Sequence, residues 1–303
     1  MEDRCHRRAD DLANIISLDH LNLQIPDQGI ATVFYVVGLG FTRDPYMMVG
    51  VDNMWVNLGR QQFHLLTRSP QVVNGRTGLV VEDLTALQRR LEFVSPRLAQ
   101  TSFSWRYHSG IVEVRCPWGN LFRCHAPSEE FGRMTLGIPY IEFDVLPGSA
   151  RGICRFYREV IGAWASVVDS GEGEVAVVSA GTDQELRFRE THEPIAPYDG
   201  YHVQLTLADF SGTQRRLDER GLVTEISNAH QYRFVRVIDL ESGHLLAEVE
   251  HELRSVLHPM YARPLINRNP AQSVGSYALG ADSWRPAAPP IRLGSRKTVA
   301  PPS

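Results

Sequence analysis

Apolar and polar residues alternate over Leu18-Asp19-His20-Leu21-Asn22-Leu23, the two-residue period of a half-buried β-strand. Leu21 and Leu23 are expected to face a covering layer, and His20 and Asn22 the space that the sheet encloses. Later in the chain Ile138-Pro139-Tyr140-Ile141-Glu142-Phe143-Asp144-Val145 repeats the pattern, with Ile141, Phe143 and Val145 packed and Tyr140, Glu142 and Asp144 on the open face. These two strands open two similar halves, one carrying His and the other Tyr at the matching place.

The pattern continues as a series. A short helix over residues 30–37 ends at Gly38-Leu39-Gly40-Phe41, where glycine permits a left-handed stop. Strands are predicted over Tyr46–Val51, Met54–Leu58 and Gln62–Leu66, completing one β-α-β-β-β unit. A second follows: a strand over Arg76–Val81, a helix opened by Glu82-Asp83 where the dipole favours acids, and strands over Trp105–His108, Ile111–Arg115 and Leu121–His125. Phe34–Phe41 then aligns with Phe156–Ala163, Val81–Leu84 with Leu207–Phe210, and Gly119–Phe122 with Gly243–Leu246. The three offsets agree to within a few residues, which indicates an internal repeat of about 120 residues. The expected division is a polar leader over residues 1–15, an N-terminal domain over 16–130, a C-terminal domain over 134–255, and a Pro/Arg-rich arm with a disordered tail over 256–303.

Composition narrows the class. A chain of 303 residues can hold two cores, and 43% hydrophobic with 22% charged residues is ordinary for a globular protein. A formal charge of −4 gives no electrostatic reason to expect nucleic acid or an anionic membrane as partner. The charged N-terminus lacks the apolar segment of a signal peptide, and four cysteines without a CxxC pair suit a reducing cytoplasm.

Four β-α-β-β-β units with "LDHLNL" opening, "FYVVGLGF" closing the first helix and "WGNLF" before a closing strand resemble the vicinal oxygen chelate superfamily. That group includes glyoxalase I, the extradiol ring-cleaving dioxygenases and the bleomycin-resistance proteins. The resemblance implies an α+β fold in which tandem βαβββ units bend into two cup-shaped domains, often holding a divalent metal such as Fe, Mn, Zn or Ni. Carried over residue by residue, it puts His20 and His64 at ligand positions of the N-terminal cup, beside Arg76 and Arg123, which cannot ligate. In the C-terminal cup it puts Tyr140, His202 and Ala247 at those positions, leaving one member of a two-His, one-carboxylate triad. Asn228-Ala229-His230 fits the histidine of the dioxygenase signature, whereas Arg236, Asp239-Leu240 and Ala247 depart from it.

The residues leave several roles open. His20, His64 and His125 make one candidate metal set, and as polar cup residues they would instead hold a ligand oxygen. In the second cup Tyr140, Glu142, Arg187, His202, Gln204 and His230 are expected to converge on a small oxygen-rich molecule. There Arg187 would pair a carboxylate or enolate, with His202, His230 and Tyr140 as catalytic candidates. Asn22 and Arg123 complete the expected substrate contacts. Glu248–Glu252 reads as a solvated strand end, with His251 able to clamp the arm. Three functions compete: proton transfer or ring opening with a non-standard or absent metal, ligand sequestration without turnover, and a structural role through a homodimer.

Overall fold

The computed structural model describes residues 12–45, 47, 52–171 and 173–265. It contains the four expected units. The first comprises β1 (Ile15–Ile25), α1 (Gln28–Ala31) running into a π-helical turn (Thr32–Gly38), β2 (Thr42–Arg43), β3 (Asn53–Leu58) and β4 (Gln61–Thr67). The second comprises β5 (Gly75–Val80), α2 (Leu84–Leu98), β6 (Ser104–His108), β7 (Ile111–Arg115) and β8 (Leu121–His125). The third comprises β9 (Tyr140–Val145), α3 (Ala150–Phe156) with its π-helical turn (Tyr157–Ile161), β10 (Ala165–Asp169), β11 (Glu174–Gly181) and β12 (Gln184–Glu190). The fourth comprises β13 (His202–Leu207), α4 (Phe210–Asp218), β14 (Val223–Asn228), β15 (Gln231–Ile238) and β16 (Leu245–Ser255). Residues 46 and 48–51, most of one predicted strand, lie outside the described residues, as does the tail from 266.

The sheets do not follow the halves of the sequence. One has the order β14-β15-β16-β13-β1-β4-β3-β2 and joins the first unit to the fourth. The other has the order β10-β11-β12-β9-β5-β8-β7-β6 and joins the second to the third. The central contacts are antiparallel, β1 with β13 and β5 with β9. The expected pairing of neighbouring units into one cup per half is therefore corrected: each cup takes one unit from either half. The inner strands are apolar on the face that the helical segments cover, as Tyr35 covers Phe63 and Tyr157 covers Phe188.

Local chemistry places the elements as read. Leu18, Leu21 and Leu23 are fully buried, each burial contributing about 1.5–3 kcal/mol. Asp27, Asp83 and Asp209 cap their helices by accepting from the amides of Ile30, Ala86 and Gly212. Gly40 and Gly162, equivalent in the repeat, have φ of 80° and 83° and turn the chain out of the two π-helical segments. Rings from the helical segments join the sheets: Phe34 lies 6.0 Å from Phe122, Tyr35 5.2 Å from Phe63, and Phe156 5.9 Å from Phe234. Gln184 bonds the Leu18 amide and carbonyl, and Gln61 accepts from the Ile138 amide, tying each sheet to the other's segment. No helix among the described residues is long and apolar enough to cross a membrane.

Both ends of the described chain are integrated. Ile15, placed by the sequence reading in a polar leader, is a buried first residue of β1. Residues 256–262 form successive turns, so the arm is folded here rather than extended. Arg263 pairs with the buried Asp44 at 2.7 Å. His251 has no hydrogen bond or ring contact with the described part of the arm. It is fully buried, stacks on Phe234 at 4.2 Å and shares a 2.5 Å hydrogen bond with the Tyr157 hydroxyl.

Candidate metal centre

Strand register brings residues from the two ends of the chain to one point. Across the β1/β13 contact His20 stands opposite Gln204, and Asn22 opposite His202. On the flanks Asn22 stands opposite His64 of β4, and Gln204 opposite Glu252 of β16. A local two-fold axis thus relates His20 to His202 and His64 to Glu252. His20, His202 and Glu252 each offer a ligand atom within 4.8 Å of the others, and all three residues are buried. The His20 ring lies 5.9 Å from His202 and 6.0 Å from His64, centroid to centroid.

Burial sets the protonation of these groups. It pushes His20 and His202 well below the ordinary imidazole range, assisted by the positive charge of Arg254 and Arg233. Burial likewise takes His64 down to about 3. Neutral imidazoles carry the lone pair that a metal requires. Glu250 Oε1 lies 3.3 Å from His202 Nδ1 and Glu252 Oε2 3.5 Å from its Nε2, so Nδ1–H can face Glu250, the usual outer partner of a ligating histidine, while Nε2 faces Glu252.

Glu252 is held by arginine. Arg233 forks between Glu250 and Glu252, with 2.5 Å bonds to both. Arg254 Nη2 pairs with Glu252 Oε1 at 2.6 Å. Among the described residues His64 Nε2 and Gln204 Oε1 are buried without a partner. Two unsatisfied polar atoms in one cup are costly unless something occupies it. Together with two neutral imidazoles and a carboxylate, they fit a divalent transition metal and an oxygen ligand. Arg233 and Arg254 neutralise Glu250 and Glu252, so a bound cation would leave the site positive and favour an anionic oxygen beside it.

Two further residues fix His64. Its ring stacks on Trp55 at 3.9 Å, 14° from parallel, and Asn22 Nδ2 donates to its Nδ1 at 2.5 Å. With the Asn22 amide in this orientation the neutral ring carries its proton on Nε2, and His64 points a donor into the cup. A cavity of about 560 Å³ is lined by His20, Gln204 and Arg254 and extends to Met260–Leu265.

The sequence-predicted residues divide between the cups. Asn22, His64, His202 and Gln204 join His20 in the first. Tyr140, Glu142, Arg123, Arg187 and His125 lie in the second, on β9, β8 and β12. The expected convergence of His202 and Gln204 with Tyr140 is therefore corrected. So is the His20, His64, His125 set, because His125 lies on the other sheet and its Nε2 is bonded to the Tyr140 hydroxyl at 2.9 Å. His230 sits in the turn between β14 and β15, with Ser255 Oγ 3.3 Å from its Nδ1. The carboxylate that the closing strand turns toward His20 and His202 is Glu252 rather than a residue at the Ala247 position, and within Glu248–Glu252 only Glu248 is exposed as a solvated end would be, whereas Val249, His251 and Glu252 are buried. The missed signal was present: Val249, His251 and Leu253 alternate with Glu250, Glu252 and Arg254.

No family model matches the chain, and no curated protein matches its sequence. Solved structures do match. Glyoxalase I from Zea mays superposes with a TM-score of 0.53 at 12% identity, over 82% of this chain and 95% of that one. A proposed dioxygenase from Bacillus subtilis superposes with a TM-score of 0.51 at 14% identity, over 80% and 85%. The chain has the vicinal oxygen chelate fold of these proteins.

Proposed function

We propose that the first cup is a divalent-metal site held by His20, His202 and Glu252, and that it acts on a small oxygen-rich molecule, a carbonyl, carboxylate or phenolic compound. The observation that supports this reading is the convergence of two neutral imidazoles and one carboxylate from β1, β13 and β16 within 4.8 Å. A metal bound there would polarise a substrate oxygen and stabilise developing negative charge. The chain's own groups supply the rest. His64 Nε2–H donates to a ligand oxygen, held in orientation by Trp55 and Asn22. Gln204 Oε1 accepts from a ligand hydroxyl, and Arg254 at the cavity edge favours an anionic form. Proton transfer at a carbon beside a carbonyl, or opening of an oxygenated ring, suits this set.

A second reading, ligand binding without turnover, draws support from Arg233 and Arg254, which already engage Glu252. Metal content separates the two. Protein equilibrated with Mn, Fe(II), Ni or Zn and freed of excess ion should retain about one equivalent by elemental analysis, and His20→Ala, His202→Ala and Glu252→Ala should each lose it. Wild-type protein retaining less than about a tenth of an equivalent of every ion would leave only the binding reading. Turnover is then sought with catechols and small keto acids on the loaded protein.

A further inference from the structure

The second cup is built on the same register and holds different chemistry. The four places that carry His20, His64, His202 and Glu252 in the first cup are Arg76, Arg123, Tyr140 and Arg187 here. Arginine does not give up its proton, so three of those four places cannot ligate a cation. On the same face β6 adds Arg106 and β7 adds Glu113 and Arg115. Of these, Arg76, Arg106, Glu113, Arg115 and Arg123 line a cavity of about 540 Å³, which Tyr140 and Arg187 do not reach, and Glu113 is the single carboxylate of that lining.

The local ion pairs show how unequal this balance is. Glu113 receives Arg106 at 2.8 and 2.5 Å and Arg123 at 3.2 Å, with His108 also 3.2 Å away. Burial would raise its pKa, but the hydrogen bonds from Arg106, His108 and Arg123 prevail and bring it to about 2. Arg76 turns to Glu142 at 2.7 Å. Arg115 makes no ion pair among the described residues and donates to the Gly119 carbonyl at 3.3 Å. Trp105 borders the cavity through β6, while its indole packs on α2 with Nε1 3.4 Å from Ser95 Oγ. Planar guanidinium forks match carboxylate and phosphate oxygens in pairs, and the cavity volume is that of a small-metabolite site.

We propose that this second cup is an oxyanion-binding site, separate from the metal cup, taking a small molecule with two or more carboxylate or phosphate oxygens bound by Arg76, Arg106, Arg115 and Arg123. Glu113 then acts as an internal competitor, occupying Arg106 and Arg123 until the ligand displaces it.

The test is calorimetric titration of the full chain at low ionic strength with inorganic phosphate and, separately, tricarballylate. At least one probe should bind saturably at one site per chain, and the stronger probe identifies phosphate or carboxylate as the preferred group. Arg123→Gln and Arg106→Gln should each weaken binding about tenfold or more, about 1.4 kcal/mol. Glu113→Gln should tighten it about threefold or more, a gain that misfolding cannot produce. His202→Ala should leave it unchanged. Absence of saturable binding by either probe at about 20 mM, a constant about tenfold beyond the weak millimolar range, would overturn the proposal. So would unchanged affinity in both arginine variants, or weaker binding in Glu113→Gln.

Discussion

Replacing Glu252 with Gln removes the carboxylate that holds Arg233 and Arg254 while keeping the side chain's shape. Glu252 is 3% exposed as a side chain, Arg254 10% and Arg233 22%. Arg233 keeps Glu250 at 2.5 Å, whereas among the described residues Arg254 keeps Gln231 Oε1 at 3.1 Å, the Met260 sulfur at 3.4 Å and the nearby charge of Asp19. The damage is therefore concentrated on one guanidinium. Removing one partner of a buried pair typically costs about 3–5 kcal/mol, and the surviving contacts put the expectation at about 3 kcal/mol. For a chain of this size that lowers the melting temperature by about 5 °C. The assay is urea unfolding of metal-free wild type, Glu252→Gln, Arg254→Met and the double variant. The double variant should recover much of the loss, with a coupling energy of about 1–3 kcal/mol, because the uncompensated charge is gone. A Glu252→Gln cost below about 0.5 kcal/mol, or additive single effects within about 0.3 kcal/mol, would refute the reasoning.

Gly78 lies under Tyr140, where a Cβ would come within 2.4 Å of the ring, and the Arg187 guanidinium sits 4.0 Å from the ring centroid. Gly78→Ala should therefore cost about 1–3 kcal/mol in urea unfolding and lengthen the bond from Tyr140 to His125 in a crystal structure of the variant. His251 is buried neutral, with burial lowering its pKa from 6.5 to about 3. An unfolded chain takes up that proton first as the pH falls, so stability is complete above about 6.5 and declines below it, by up to about 1.4 kcal/mol per pH unit for this group. Urea midpoints measured between pH 7.5 and 5 should fall, and more gently in His251→Gln; equal slopes would contradict the assignment. Asn22→Leu removes the donor to His64 Nδ1, and the ring nitrogen shifts of His64 in solution NMR should show that its proton is no longer confined to Nε2.

Much of this arrangement is legible in the chain. The alternation at Leu18–Leu23 sets which way His20 and Asn22 point, and the spacing of Gly40 and Gly162 reveals the repeat before any coordinate is known. The pairing of units is not legible, because a buried apolar strand face such as that of β1 suits either β5 or β13 equally well as a neighbour. That choice decides the site: His20 and His202 belong to different cups under one pairing and to a single metal set under the other. Glu252 was missed for a local reason. In β8 the cup residue Arg123 follows Gly119 by four positions, but β16 is eleven residues long, and its pairing with β15 shifts register between Phe234 and Arg236 and again between Val237 and Ile238. Those irregularities displace the closing position without altering the alternation that carries it.

The proposed function requires His20 and His202 to bind one ion between them. Calorimetric titration of Mn(II) into wild type, His20→Ala, His202→Ala and the double variant tests this directly. One equivalent should bind to wild type, either single substitution should abolish most of the affinity, and the double variant should be no weaker than the singles, as for two ligands of one ion. Full stoichiometry surviving either single substitution, or losses that simply add, would show that the two histidines do not share a metal.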